Sequence, residues 1–137
     1  MTLQYRIGIL AASLCAAVAT VPLAAPAQAA PATDHRATTL LLSVQLTEHP
    51  QQAPRTAVLR CGSDGGTHVR TAQACEDLRA VNGDLQEMVY QDGPCTLEYL
   101  PLTATAVGLW EGRPVLYRNT FSNRCDMLRA TGNVFRF

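Results

Sequence analysis

The sequence predicts an α+β domain in which an antiparallel sheet is covered by helix on one face. Short apolar stretches alternate with polar residues at the period of two that half-buried strands require. One further stretch repeats apolar residues at helical spacing. The strand-like stretches follow one another through short turns, which is typical of antiparallel pairing, so we expect about five strands and one or two helices.

The first strand is predicted from Leu40 to Leu46, where every second residue is leucine or valine. A second strand runs from Thr56 to Cys61, and a glycine-rich connection follows it. Beyond this connection, apolar residues recur at helical spacing at Ala74, Leu78, Val81 and Leu85. Asn82-Gly83 is a plausible stop or break in that helix.

The second half of the chain predicts a hairpin and a short helix. One strand runs from Leu102 to Trp110, and Glu111-Gly112 reverses the chain because glycine takes the positive backbone angle that other residues resist. The return strand runs from Val115 to Phe121. A short helical turn is expected from Asn123 to Ala130, and a closing strand from Val134 to Phe137.

The first residues predict an export signal. Arg6 is followed by an almost wholly apolar run from Ile7 to Leu23, and Ala27-Gln28-Ala29 matches the small-x-small cleavage rule. The run is too short for a membrane span and is soon followed by small residues and prolines. We therefore expect residues 1–29 to be a secretory signal peptide and residues 30–137 to form one secreted, extracellular domain.

The charge balance argues against a nucleic-acid partner. Without Arg6, the 11 basic residues fall to 10, all of them arginine, against 11 acidic residues. A protein that binds the phosphate backbone needs a basic patch, and the mature chain has neither a basic excess nor a basic cluster. Its length is enough for one modest core and not for two.

Four cysteines remain once Cys15 leaves with the signal, and they are Cys61, Cys75, Cys95 and Cys125. An even number in an exported domain predicts disulfides. Four cysteines allow three pairings, which the sequence alone does not separate, although pairing neighbours closes the shortest loops. The rival interpretation is a zinc site at Cys61, His68 and Cys75, but these residues are spaced more widely than the usual ligand pairs. We expect no metal.

The stretch GPCTLEYLP, Gly93 to Pro101, is the candidate functional segment. A peptide that is offered to a serine protease must be extended and held still, and it must present one side chain to the primary specificity pocket. Cys95 can supply the anchor and Leu97 the side chain, which places the target bond between Leu97 and Glu98. The alternative is an ordinary surface loop with a disulfide at one end.

An enzyme would need a nucleophile and a base, and the candidates are few. Ser63, Asp64 and His68 have the residue types of a hydrolytic triad. No strand-Ser-helix elbow accompanies them, and triads are spatial arrangements rather than sequence patterns. We therefore expect binding or inhibition rather than catalysis.

Short segments in order along the chain carry a family resemblance. They are GTH at 66–68, ACEDL at 74–78, GDL at 83–85, GLWEGRPVLY at 108–117 and FSNRCDM at 121–127, before the closing VFRF. With the four cysteines interleaved, the chain resembles the Streptomyces subtilisin inhibitor family of secreted serine-protease inhibitors over nearly its whole mature length. The resemblance implies a five-stranded antiparallel sheet with two helices, and a homodimer formed through sheet faces. It also implies that Cys61 pairs with Cys75 and Cys95 with Cys125.

The function that the resemblance implies is substrate-like, standard-mechanism inhibition of serine endopeptidases of subtilisin type, with chymotrypsin-like proteases as further candidates. No cofactor is needed. The reactive bond would lie two residues past Cys95, between Leu97 and Glu98, in a reactive loop with Pro94, Thr96 and Tyr99. The alternative is a secreted binding or cross-linking module without protease inhibition.

Asn123 is a candidate support for this loop. It lies two residues before Cys125, so a bond from Cys125 to Cys95 would tether it behind the loop. Its amide has two donors and an acceptor, which suits hydrogen bonds to loop carbonyls near Leu97 and Glu98. The alternative is a helix cap, because asparagine is favoured at the start of a helix.

Overall fold

A computed structural model describes residues 37–62 and 65–137 of the chain. The predicted signal peptide, the start of the mature chain, Ser63 and Asp64 lie outside the described residues. The elements are β1 (Thr39–Leu46), β2 (Arg55–Arg60), α1 (Thr71–Ala80), a 3₁₀ turn (Leu85–Glu87), β3 (Leu102–Trp110), β4 (Arg113–Phe121) and α2 (Arg124–Thr131). The predicted α+β class is confirmed. Among the described residues, none of the helices has the length and apolar character needed to cross a membrane.

The strands form one antiparallel sheet in the order β2-β1-β3-β4. In the middle of the sheet, Leu42 of β1 lies opposite Ala57 of β2 and Ala106 of β3. Leu40 and Leu42 are fully buried while Leu41 between them is exposed, because successive strand side chains point to opposite faces. The core therefore lies on one face, where Leu78 of α1 and Met127 of α2 join it.

The predicted fifth strand is wrong, and the described sheet has four strands. The segment that was expected to form it, Val134–Phe137, follows α2 as a turn. The N–H of Val134 donates to the Thr131 carbonyl at 3.2 Å instead of to a neighbouring strand. Val134 and Phe135 are both fully buried, which a strand on a one-sided sheet does not allow for consecutive residues. The apolar run at the C-terminal end is therefore core filling rather than sheet.

The predicted break in the first helix is confirmed. The backbone leaves α1 after Ala80, and both Asn82 and Gly83 have positive φ, 53° and 82°. A Cβ on Gly83 would lie 2.3 Å from the Trp110 ring, so glycine is needed there for space as well as for conformation. Leu85, the last apolar residue of the helical pattern, lies in the 3₁₀ turn rather than in α1, and its side chain is buried there.

A disulfide joins Cys61, just after β2, to Cys75 in α1. This pair is one that the resemblance implies, and it overturns the zinc interpretation because both thiols are consumed. The described residues hold no cluster of three or more metal-ligating side chains. The bridge fastens the helix to the edge of the sheet.

His68 is a buried structural residue and not a free base. Its Nδ1 accepts from the Arg70 backbone N–H at 3.0 Å, which leaves the proton on Nε2 for the Val134 carbonyl at 2.9 Å. Phe137 packs against the imidazole edge to face. Burial lowers the pKa of His68, and the bond to Val134 opposes this only in part.

The stability of the protein should therefore fall in mild acid. An unfolded chain takes up a proton at the ordinary histidine pKa of about 6.5, whereas the folded protein resists protonation of His68. Unfolding therefore binds a proton as the pH falls below that value, towards the lowered folded-state pKa. We expect the melting temperature to drop between pH 7.5 and 5, and to drop less in His68→Gln than in the exposed control His49→Gln. Equal drops in the two variants would contradict this role.

Candidate functional site

The predicted loop projects from the domain between the 3₁₀ turn and β3. Residues 89–100 have no regular secondary structure. Leu97 is 102% exposed, so its whole side chain faces solvent, and Tyr99 is 72% exposed. Thr96 and Glu98 are exposed as well. A bare leucine flanked by other exposed residues is a group that an external partner can reach.

Both ends of this loop are fastened. On the N-terminal side, a disulfide joins Cys95 to Cys125 in the first turn of α2, the second pair that the resemblance implies. On the C-terminal side, the Leu100 N–H donates to the Ser122 carbonyl at 3.0 Å. The next carbonyl, of Pro101, accepts from Thr47 just after β1 at 2.9 Å. The exposed residues are thus held between a covalent and a hydrogen-bonded anchor.

Asn123 lies under the loop with 8% of its surface exposed. Its Nδ2 donates to the Glu98 carbonyl at 3.0 Å and to the Thr96 carbonyl at 3.4 Å. Its Oδ1 accepts from the Asp126 N–H at 2.9 Å, which caps the N-terminus of α2. One side chain therefore caps the helix and contacts the loop at the same time. The two bonded carbonyls flank Leu97 on either side.

The loop and the start of α2 enclose a recess of about 300 Å³, lined in part by Thr96, Glu98 and Asn123. A larger recess of about 490 Å³ lies elsewhere, between the β3–β4 hairpin and the turn at Asn82. The volume of a recess does not decide which surface binds a partner, because a projecting loop enters the partner's cleft and needs no cavity of its own. In the larger recess, Arg113 is already bonded to Asn82.

Most of the predicted site residues come together in this loop. Cys95, Thr96, Leu97, Glu98 and Tyr99 follow one another, with exposed Pro94 before them and Asn123 behind. Asp126 and Arg129, which also contact the loop region, were missed. A signal for Arg129 exists in the sequence: it lies four residues after Cys125, and residues at that spacing share a helix face.

Two substitutions of Asn123 should distinguish the contribution of its helix cap from that of its hydrogen bonds to the loop. Serine is also a favoured helix cap but is too short to reach the loop carbonyls, so Asn123→Ser should keep α2 capped. Asn123→Ala loses the cap as well and should be less stable than the serine variant by about 1 kcal/mol. Urea denaturation of both variants at one pH measures the difference. Equal unfolding free energies would show that Asn123 does not cap α2 in solution.

Comparison with known proteins gives consistent matches. The family model described as "Subtilisin inhibitor-like" matches residues 36–123. A "Subtilase-type protease inhibitor" of Streptomyces coelicolor is 36% identical over 135 residues, covering 96% of this chain and 93% of the relative. "Subtilisin inhibitor-like protein 5" of Streptomyces fradiae is 39% identical over 107 residues, covering 75% of this chain and 100% of the relative.

A solved structure is also similar. It is that of Streptomyces caespitosus sermetstatin in complex with Bacillus licheniformis subtilisin, with a TM-score of 0.58 and 28% identity. The match covers 74% of this chain and 99% of that one. Because the family model spans well over half of the sequence and the relatives align along most of their length, this chain belongs to the subtilisin inhibitor-like family.

Proposed function

We propose that the protein is a secreted inhibitor of subtilisin-type serine endopeptidases that binds as a substrate does, with Leu97–Glu98 as the reactive bond. The single observation that carries this is the geometry around Leu97. Its side chain is fully exposed, while the carbonyls on either side of it are bonded to one buried amide. A side chain presented on an immobilised backbone is what a protease specificity pocket accepts.

Preorganisation supports tight binding. A free peptide must lose conformational entropy of about 1–2 kcal/mol per residue when it enters a cleft. The loop has lost most of this on folding, through the Cys95–Cys125 bridge and the bonds to Asn123. More of the contact energy then remains as affinity, which is how an interface of ordinary size becomes tight.

The same anchors explain why attack need not lead to release. Thr96 precedes the Leu97–Glu98 bond and Glu98 follows it, so the two hydrogen bonds of Asn123 reach both products of a cut. The disulfide of Cys95 holds the acyl side, and the bond from Leu100 to Ser122 holds the amine side. The new Glu98 amine would stay beside the Leu97 acyl group, where its high effective concentration favours religation over hydrolysis.

The comparisons support this assignment at the level of the relatives. One relative is named a subtilase-type protease inhibitor, and the similar solved structure is a complex with subtilisin. A medium-sized apolar residue such as Leu97 also suits the pocket of chymotrypsin-like proteases, which are therefore a second target class. Residues 1–29 are proposed to direct export. The alternative, a binding or cross-linking module, would be favoured if titration of subtilisin and chymotrypsin left both fully active.

Replacing Leu97 should change which protease is inhibited. The trypsin pocket carries a buried acid that selects lysine or arginine, so the parent protein should inhibit subtilisin well and trypsin weakly. Leu97→Lys should strengthen trypsin inhibition by at least about a hundredfold, because a buried anchor residue can carry about 3 kcal/mol or more. Tyr99→Lys adds the same charge to the same loop as a control and should bring no gain. Unchanged trypsin inhibition by Leu97→Lys would show that another residue fills the pocket.

We also propose that the protein forms a homodimer through the outer face of its sheet. The register aligns Val58, Leu41, Val107 and Leu116 in one row across all four strands. Leu41, Val107 and Leu116 are 53%, 46% and 79% exposed, and the described helices pack on the opposite face. A continuous apolar row can be self-complementary across a two-fold axis, so a second copy is the occupant that this face fits best.

A charge in this row should separate the copies. Leu116→Arg places a guanidinium where a partner's apolar side chain would pack, and desolvating it is costly. We expect sedimentation equilibrium to give a dimer mass for the parent and a monomer mass for the variant. Arg118→Leu, on the same strand and face, is a control that should stay dimeric. A monomeric parent, or a dimeric Leu116→Arg protein, would contradict the proposed interface.

A further inference from the structure

The segment that enters the loop from its N-terminal side, residues 89–94 and here called the arm, has no regular secondary structure. Each of its residues is exposed. Its covalent anchor comes only at Cys95. An exposed segment without a strand or helix around it must be held by individual contacts if it is to keep one conformation.

Arg129 of α2 supplies several of these contacts. Its side-chain Nε donates to the Gln91 carbonyl. The Gln91 N–H donates to the backbone carbonyl of Arg129 at 2.9 Å, a main-chain bond that does not involve the side chain. Its guanidinium carbon lies 5.2 Å from the centroid of the Tyr90 ring, within the range of a cation–π contact. Its Nη1 lies 3.7 Å from Cys95 Sγ. One side chain thus contacts the arm from its beginning to the disulfide.

The arm approaches this arginine closely at Gly93. A Cβ at that position would lie 3.1 Å from Nη2 of Arg129. The backbone φ of Gly93 is +143°, which residues with side chains rarely adopt. Glycine is therefore the residue that allows the arm to pass over the guanidinium.

Tyr90 is itself held in place. Its hydroxyl donates to Asp126 Oδ1 at 3.0 Å, and Asp126 Oδ2 accepts from the Ser122 hydroxyl at 3.0 Å. The bond to Asp126 is the largest cause of the raised pKa of the Tyr90 phenol. The ring is thus fixed to α2 on one side and covered by Arg129 on the other.

We propose that Arg129 is a positioning residue for protease binding. It holds the arm so that Asp92, Gly93 and Pro94, which precede Leu97, enter the protease cleft in one fixed conformation. This inference rests on the proposed inhibitory function. Asn123 acts on the reactive bond, whereas Arg129 acts on the segment before it. The two residues should therefore affect different steps: cleavage for Asn123 and association for Arg129.

An arm released from Arg129 would sample conformations that do not fit the cleft. Association then slows in proportion to the fraction of molecules in the competent conformation. The charge-assisted hydrogen bond and the cation–π contact are both exposed to solvent, which weakens each of them, so their joint loss should correspond to about a tenfold change in that fraction. The bond between Leu97 and Glu98 keeps its own anchors, so the rate of its cleavage should not change.

The test compares Arg129→Met with Arg79→Met in the mature protein with both disulfides formed. Arg129 lies in the last turn of α2 and Arg79 in the last turn of α1, so the control removes the same charge from the last turn of a helix. Three quantities are measured: amide hydrogen exchange at Gln91 in the free protein, the association rate constant with subtilisin, and the cleavage rate after Leu97. Arg129→Lys, which keeps the charge and replaces the planar guanidinium with a single ammonium group, serves as a partial rescue.

We expect Arg129→Met to lose protection at Gln91, because the remaining main-chain bond alone does not hold the exposed arm. The variant should associate about tenfold more slowly, with cleavage unchanged and Arg79→Met like the parent. Arg129→Lys should fall between them. Retained protection at Gln91, or association as fast as the parent's, would overturn the positioning role. If the parent itself fails to inhibit subtilisin, the proposed function fails, while the exchange measurement still decides whether Arg129 holds the arm.

Discussion

The conformation of the proposed reactive loop depends on the side-chain amide of Asn123. An asparagine amide offers two donor hydrogens and one acceptor oxygen. Here the donors face the carbonyls of Thr96 and Glu98, and the acceptor takes the Asp126 N–H at the start of α2. Because the amide is buried and bonds the loop through its nitrogen and the helix terminus through its oxygen, the loop and the helix terminus fix each other. Asn123→Ala should disturb both, whereas Asn123→Ser should disturb the loop alone.

The segment Ser122–Arg129 extends this arrangement along α2. Ser122 bonds the C-terminal side of the loop, Cys125 carries the disulfide, and Arg129 contacts the arm. The sheet matters to function mainly because it fixes this segment: β4 ends at Phe121, immediately before it, and β3 begins just after the loop. A short length of backbone therefore collects the anchors on both sides of Leu97.

Much of the fold could be predicted from local sequence patterns. The alternation in β1 and the Asn82-Gly83 break depend on near neighbours in the chain, and both appear where expected. The prediction of a fifth strand is wrong because Val134 and Phe135 are apolar for another reason. Both side chains fill the core. From the sequence, a helix cap and a loop contact at Asn123 are alternatives, because a sequence shows residue types and not how many bonds one side chain makes. The contact of Arg129 with the arm could be predicted only after the pairing of Cys95 with Cys125 was known.

The most direct test of this account is the fate of the Leu97–Glu98 bond in Asn123→Ser during incubation with subtilisin, followed by mass spectrometry below the melting temperature of both proteins. The variant retains the helix cap and loses both hydrogen bonds to the loop. The account predicts that cleaved chain accumulates at least about fivefold faster than in the parent, since each of the two lost bonds is worth about 0.5–1.5 kcal/mol, and that protease activity returns sooner. Cleavage as slow as in the parent would contradict the claim that the Asn123 amide holds the reactive bond together.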